Sequence, residues 1–559
     1  MLDGHLFTRG KRHVTDRRAD AVTHIDTEWP EGPHGTVQGM ECNRNSEPIR
    51  SLSREQQGKQ PIRSPFRVRR KRLRPRRAMS VTMPVPDSVE NVLFVFTDQQ
   101  RQDSLGCYGN EFVETPNLDR LAADGVRFGN GYTTTAVCTP SRAAVVSGQY
   151  PSRNGVTSNG GNWPHLLEET DPYPRLLRDA GYNVGISGKW HLGTPPAEFG
   201  FDGPHIPTWH QVYDHEDYRA YLAENDLPDI DTDEFEAVFP GDGEEYQSGA
   251  VDPRPVEASY PYYIAHRAID QFETYVEDDA PFYQSVHFFG PHNPYYLPRE
   301  CFELYDHREL DLPESAVKES FRDKPSHQRL LEDDALKKYP TEDWKRILAA
   351  YHGFVSLIDA QVGRLLDALE ELGVAENTLV VFTADHGSFA TAHKFLDKNA
   401  TMYEDIYNVP FIARGLGREG EVEDRLVSLV DLAPTFVDAA DEPIPDSYDG
   451  RSLFDLNDPD AEWRDALTGE FHGHALRYQA RMIRQEQYKL VVNAAHENEL
   501  YDLEVDPHEL TNLVDDCDYQ DVRERLYSRL EELLDERDDR VLPLRDISKA
   551  TRYENVGLE

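Results

Sequence analysis

Cysteine is scarce in this chain of 559 residues: five in all, Cys42, Cys107, Cys138, Cys301 and Cys517. They are scattered and odd in number, and no two stand in a Cys-x-x-Cys pair, so neither a disulfide framework nor a thiolate zinc site is indicated. Long apolar runs are missing as well. No stretch approaches eighteen consecutive apolar residues, so no membrane span is expected. Positive charge is the third shortage. The 59 Lys and Arg face 102 Asp and Glu, a formal net charge of -43, and only 13 of the 59 are lysine. A field of this sign repels nucleic acid and other polyanions, although molar salt shortens its reach.

The charge is uneven. Residues 1–80 hold 18 Lys and Arg against 9 Asp and Glu, leaving 41 against 93 for the remainder. Carboxylates spread through the whole core, rather than gathered in a tail, resemble the composition of haloarchaeal proteins, whose acidic surfaces stay hydrated in concentrated salt. Residues 1–78 are polar, lack helical or strand periodicity and end in the basic run RVRRKRLRPRRAMS. No apolar segment follows that run, so it reads as neither a secretory nor a twin-arginine signal, and a cytoplasmic location is expected. Residues 1–88 are expected to be a disordered basic extension, with Met79 or Met83 as alternative starts. A nucleic-acid-binding arm is opposed by the acidity of everything after it.

From Asn91 the pattern changes. NVLFVFTDQQ, YNVGISGKWHLG, PFYQSVHFFGPHNPY and TLVVFTADHGS are apolar runs that each end in polar, chemistry-bearing residues, and VPFIARG adds another run. Near-continuous apolar strands are buried on both faces, which predicts a mostly parallel sheet. The helical pattern of Arg346–Leu372, with Ile347, Phe354, Ile358, Leu365, Leu369 and Leu372 at three- and four-residue spacing, is one of those that cover it. The fold class is therefore α/β, with helices flanking a mostly parallel central sheet over residues 89–455. Short amphipathic strands and a terminal helix at Tyr519–Glu536 predict a smaller α+β subdomain on an antiparallel sheet over 456–540, followed by a tail at 541–559. The segment Pro204–Ser259, rich in Asp, Glu, Pro and Tyr, reads as an insertion over a sheet edge that shapes a pocket.

In open parallel sheets ligands bind beyond the carboxyl ends of the strands. Those ends carry Asp98 and Gln99, Lys189 and His191, His292, and Asp385 and His386. Acids and an imidazole suit a cation; a lysine and further histidines suit an anion. An aspartate after a strand is usually a helix cap and a lone histidine usually structural, but four strand ends of this kind point to one shared site. Cys138 stands just before Pro140-Ser141-Arg142, and proline suits the first turn of a helix. A helix N-terminus presents free N–H groups to a tetrahedral oxyanion, Arg142 adds a fixed charge, and a thiol there has a lowered pKa.

Cys138-Thr139-Pro140-Ser141-Arg142, followed by Ser147-Gly148, resembles the signature of the type I sulfatase family within the alkaline phosphatase-like superfamily. TDQQRQDSLGCYGN, TPNLDRLAADGVRF, GKWHLG, PHNPY, TADHG and ELYDLEVDPHELTNL are similar to its landmarks in order, so the likeness runs from Asn91 to about Asn512. The resemblance implies that a maturation enzyme oxidises Cys138 to Cα-formylglycine, whose hydrate is a geminal diol. It implies a divalent cation held by Asp98, Gln99, Asp385, His386 and the oxygen at position 138. Gln99 stands where many members have a second Asp; calcium is the expected ion, with manganese or magnesium as alternatives. It further implies that Asp385 activates the nucleophile, and that Lys189, Arg142 and Lys398 offset charge on the sulfate. His292 with Lys398 would protonate the departing alcohol, and His191 would help release sulfate. Lys394 is a competitor for Lys398, and His287 reads as structural. The expected substrate is a sulfated small molecule or glycan. Two other readings stay open: a phosphonate monoester or phosphodiester hydrolase of the same superfamily, and a non-catalytic carbohydrate-binding protein if Cys138 is unmodified.

Overall fold

The computed structural model describes residues 89–539, apart from 161–164, 207–214, 232–233, 238–248, 279, 333–338 and 475–477. The expected extension at 1–88 and tail at 541–559 lie outside the described residues. An eight-stranded sheet is built from β1 (Asn91–Asp98), β2 (Val126–Phe128), β3 (Asn183–Lys189), β4 (His205–Ile206), β5 (Phe282–Pro291), β6 (Thr378–Ala384), β7 (Phe411–Arg414) and β8 (Glu421–Glu423). Their spatial order is β8-β2-β7-β6-β1-β5-β3-β4. β1 lies between β5 and β6 and runs parallel to both, so three of the predicted strand ends open on one edge. β3 is parallel to β5 and brings the fourth.

The run VPFIARG forms β7, which is antiparallel to its neighbours β6 and β2 and not part of the parallel set. The reason is topological. After β6 the chain builds the loop 385–410 at the carboxyl edge and re-enters the sheet from that same edge, so it must run back.

Alternate residues of β1 face opposite layers, as the period of two requires. Leu93 and Val95 join a core with α3 (Tyr260–Glu277) and α4 (Thr341–Glu371), while Val92, Phe94 and Phe96 join a second with α2 (Cys138–Ser147) and the helix Leu432–Ala439. α4 begins five residues before the apolar pattern shows it, with Pro340 as its N-cap. Four antiparallel strands, β9 (Ala466–Phe471), β10 (Ala480–Gln485), β11 (Tyr488–Asn493) and β12 (Glu499–Asp502), form a separate sheet. One face packs on α5 (Gln520–Glu536) through Ile483, Leu490 and Leu500 against Leu526, Leu530 and Leu534. The other packs Met482, Val491 and Tyr501 with Phe389, Tyr403 and Tyr407 of the loop 385–410. Among the described residues no helix is long and apolar enough to cross a membrane. Among the described residues Cys107, Cys138 and Cys301 are free.

α1 (Pro116–Ala123) is tied to α4 by one buried carboxylate. Asp359 accepts the backbone N–H groups of Leu118 at 2.8 Å and Asn117 at 3.1 Å, donors that an isolated helix leaves unpaired. Burial lifts its pKa to about 6 despite those bonds. Replacing Asp359 by Ala removes both acceptors and should destabilise the protein by about 1–3 kcal/mol in denaturant melts; an unchanged melting midpoint would refute this anchoring role.

Candidate functional site

β1 ends at Asp98, and β6 ends one residue before Asp385. The pairing of these strands, continued by the Asp385 N–H donating to the Thr97 carbonyl at 3.0 Å, sets the two carboxylates side by side. α2 starts at Cys138 with Val137 as N-cap, so the thiol stands at the helix mouth. The hydroxyls of Ser141 and Thr133 donate to the Asp385 carbonyl at 2.6 and 2.7 Å and pin the helix to the strand end. At its other end α2 stops at Gly148, where φ is +65° and a Cβ would fall 2.7 Å from the Tyr448 ring, so only glycine fits. Cys138 Sγ lies 3.3 Å from His386 Nε2 and 3.8 Å from Asp98 Oδ1. Asp98, Cys138, Asp385 and His386 offer donor atoms that all lie within 4.8 Å of one another, and all four residues are buried.

Such a cluster is tolerable only with compensating charge. Lys189 pairs with Asp98, and Arg142 Nε donates to Asp385 Oδ2 at 2.9 Å while its Nη1 donates to the Lys189 carbonyl at 3.2 Å. Burial would raise the Asp98 pKa, but Lys189, His292 and Arg142 hold it well below the usual carboxylate range. The Asp385 carboxyl is pushed up by burial and by its neighbour Asp98. Burial opposes a charge on His386, yet Asp385 and Cys138 raise it to about 9. The same burial opposes a thiolate at Cys138, yet Lys189, Lys398 and His386 bring its pKa well down. A metal cation held by this cluster would supply the same neutralising charge.

The remaining predicted residues converge on this point. Lys398 Nζ lies 2.9 Å from His292 Nε2, 3.1 Å from Asp397 Oδ1 and 3.4 Å from Gln99 Oε1. Gln99 sits at φ +66°, donates its backbone N–H to Asp385 Oδ1 at 3.1 Å and spans Ser388 and Lys398 with its amide. His191 lines the cavity; its Nδ1 finds no partner, and burial beside Lys189 lowers its pKa. Lys394 turns away to the Glu319 carbonyl. His287 is buried behind the site against Arg142 and the Lys189 carbonyl, and burial keeps it neutral. The cavity measures about 360 Å³.

Several residues escaped the sequence reading. Asn159 accepts the Thr139 N–H at 2.9 Å, and His474, from the loop between β9 and β10, reaches the cavity from the C-terminal sheet. A further group shapes the loop that carries Ser388 and Lys398. Gly387 passes so close to the Asp405 carbonyl that a Cβ would stand 2.0 Å from its oxygen. Ala390, Thr391, His393 and Lys394 all have positive φ. His393 is buried, with Nδ1 2.8 Å from Glu319, Nε2 3.4 Å from Asp405 and its ring stacked 3.9 Å from that of Tyr403. Arg101 binds Asp405 at 2.8 Å and the Phe389 carbonyl at 2.7 Å. No local motif announces these partners, because each comes from a different segment.

Residues 90–442 match the family described as Sulfatase, and residues 391–536 match the one described as N-sulphoglucosamine sulphohydrolase, C-terminal. The chain is 31% identical over 462 residues to an uncharacterized sulfatase, YidJ, of Escherichia coli strain K12, covering 80% of this chain and 87% of that one. It is 30% identical to an arylsulfatase of Clostridium perfringens strain 13, covering 77% and 91%. Among solved structures, the phosphonate monoester hydrolase of Agrobacterium radiobacter superposes with a TM-score of 0.68 at 26% identity, over 80% of this chain and 96% of that one.

The buried His393 has a testable signature. Burial opposes its charge, but Asp405 and Glu319 raise its pKa above the ordinary 6.5. A raised histidine stabilises the fold fully below the unfolded value and loses that contribution as pH rises through the folded one. Thermal melts should therefore decline with pH above about 6.5, and the decline should be shallower in His393→Gln. Equal slopes in the two proteins would count against the ion-paired imidazolium.

Proposed function

The chain belongs to the sulfatase family and is a sulfuric ester hydrolase, and from that premise we propose that the side chain of Cys138, oxidised to Cα-formylglycine by a maturation enzyme, attacks the ester sulfur beside a divalent cation held by Asp98, Asp385 and His386. The observation that carries this reading is the placement of Cys138 Sγ at the mouth of α2, 3.3 Å from His386 and among two buried carboxylates. Two carboxylates, an imidazole and an oxygen at position 138 form a donor set that suits a hard cation, calcium first and manganese or magnesium next.

When present, the cation and the hydrated aldehyde supply Lewis-acid polarisation of the sulfate and an oxygen nucleophile. The protein's own residues do the rest. Asp385 accepts the nucleophile's proton, its carboxylate oriented by Arg142 at Oδ2 and by the Gln99 N–H at Oδ1. Lys189, Arg142 and Lys398 are fixed before the reaction and offset charge on the sulfate oxygens as it redistributes. His292 Nε2, 2.9 Å from Lys398 Nζ, delivers a proton to the departing alcohol oxygen. His191, neutral and with Nδ1 unpaired, is the base for the return transfer that frees sulfate. Each proton transfer contributes about 10²–10⁴-fold.

The likeness to a phosphonate monoester hydrolase keeps a second reaction in view. The Lys189–His191 pair favours sulfate; kcat/KM for an aryl sulfate should exceed that for a bis-aryl phosphate ester at least tenfold, and the reverse ranking would favour the second reaction. Cys138→Ala should lower kcat about 10⁴-fold with an unchanged melting temperature, and the wild-type peptide containing Cys138 should carry an aldehyde by mass spectrometry. An intact thiol in active protein, or ester hydrolysis by the alanine variant, would reject the nucleophile. Chelation should abolish turnover and lower the melting temperature, and added Ca²⁺ should restore both; full activity after exhaustive chelation would reject the cation.

A further inference from the structure

Resting on the sulfate-ester reading, we propose that Gln99 is a positioning residue for Lys398: its amide oxygen holds the ammonium against His292 on the leaving-group side and does not ligate the cation. Gln99 follows Asp98 directly, so its place in the sequence suits a ligand. The backbone turns it to another use. Gln99 enters the left-handed region at φ +66°, which a residue other than glycine keeps only under constraint. Two bonds impose it: the Gln99 N–H donates to Asp385 Oδ1 at 3.1 Å, and the Tyr351 hydroxyl donates to the Gln99 carbonyl at 3.2 Å. The link to the carboxylate pair thus runs through the backbone, and the side chain serves other partners.

Those partners fix which way the amide faces. Nε2 donates to Ser388 Oγ at 3.1 Å, and the Ser388 hydroxyl passes its own hydrogen to the Leu396 carbonyl at 3.4 Å. Oε1 lies 3.4 Å from Lys398 Nζ, and an ammonium only donates, so the oxygen is the atom that must meet it. Lys398 has an acceptor for each of its N–H groups: His292 Nε2 at 2.9 Å, Asp397 Oδ1 at 3.1 Å and Gln99 Oε1. The last contact is the longest, and it completes the set for a side chain that is buried. Ser388, Leu396, Asp397 and Lys398 all belong to the loop 385–410, and Gln99 ties this group to the end of β1, where Asp98 stands. An oxygen used in this way is a poor ligand. A divalent cation on Oε1 would share a neutral atom with the Lys398 ammonium, and like charges at that range repel strongly in a dry site. The cluster has no need of it: Asp98, Cys138, Asp385 and His386 already offer donor atoms within 4.8 Å of one another. An amide also suits the place better than a carboxylate, since it accepts and donates at once.

The test compares full-length wild type with Gln99→Met, which keeps the length of the side chain and removes both polar atoms, in two measurements. Calorimetric titration of metal-free protein with Ca²⁺ should give affinities within about threefold of each other, whereas loss of a ligand would cost about tenfold or more. Turnover of phenyl sulfate and 4-nitrophenyl sulfate is then measured on aldehyde-bearing protein. The nitrophenolate leaves without a proton and phenol does not, so kcat/KM of the variant should fall about tenfold more for phenyl sulfate than for the nitrophenyl ester. Gln99→Glu keeps an oxygen for Lys398 and should lose less on phenyl sulfate than Gln99→Met. If Gln99→Met does not fold, Ser388→Ala, which removes the other anchor of the amide, should show the same selective loss with unchanged Ca²⁺ affinity. A fall of about tenfold or more in Ca²⁺ affinity makes Gln99 a ligand and overturns the inference; an equal loss on both esters reduces Gln99 to a merely structural role and overturns it too. Either result leaves the sulfatase reading standing. No turnover of any sulfate ester by aldehyde-bearing wild type removes that reading instead, and the Ca²⁺ titration still decides whether Gln99 is a ligand.

Discussion

Two carboxylates, Asp98 and Asp385, are forced together at the tips of adjacent buried strands, and the site is organised around the cost of that proximity. Like charges so close in a dry environment are tolerable only beside matched positive charge. Lys189 arrives from β3 and Arg142 from the N-terminal half of α2. Each compensating group sits on an element that the sheet itself positions, so the cluster is preorganised rather than assembled on binding. The same balance accounts for Cys138: a side chain there meets a field that favours negative charge on it, which is what an attacking oxygen requires.

Around this centre the leaving-group side is built differently. Lys398 comes from a loop whose backbone repeatedly enters the left-handed region, and a conformation so unfavourable for side chains other than glycine persists only when surrounding contacts over-determine it. His393 between Glu319 and Asp405, with Arg101 across the Phe389 carbonyl, provides those contacts. The C-terminal sheet extends them. Lys489 of β11 is fully buried between Glu404 and Glu509, and the Tyr132 hydroxyl donates to Glu404 at 2.7 Å. That sheet therefore supports the catalytic loop as well as lending His474 to the cavity wall.

The sequence alone made the centre legible because its residues terminate strong hydrophobic patterns. Asp98, Lys189, His292 and Asp385 follow apolar runs whose burial on both faces is unambiguous, and a parallel sheet must present such ends together. Cys138 was readable from its proline and arginine neighbours. The direction of β7 was not, since a short apolar run fits either orientation and only the path of the preceding loop decides it. Lys398 was preferred to its competitor Lys394 on spacing, and the geometry behind that choice lies in the loop's backbone, which sends one toward His292 and the other toward Glu319.

Strand ends, helix start and charge type were thus determined locally, by hydrophobic periodicity and by the few residues that suit a helix mouth. The substrate-facing wall was not. Asp252 with Arg254, Asn293, Phe354 and His474 meet there only because the order of strands and the docking of a second sheet bring remote segments within contact distance. Contacts between segments tens to hundreds of residues apart leave no trace in local spacing. They arise from packing, which the folded chain alone decides.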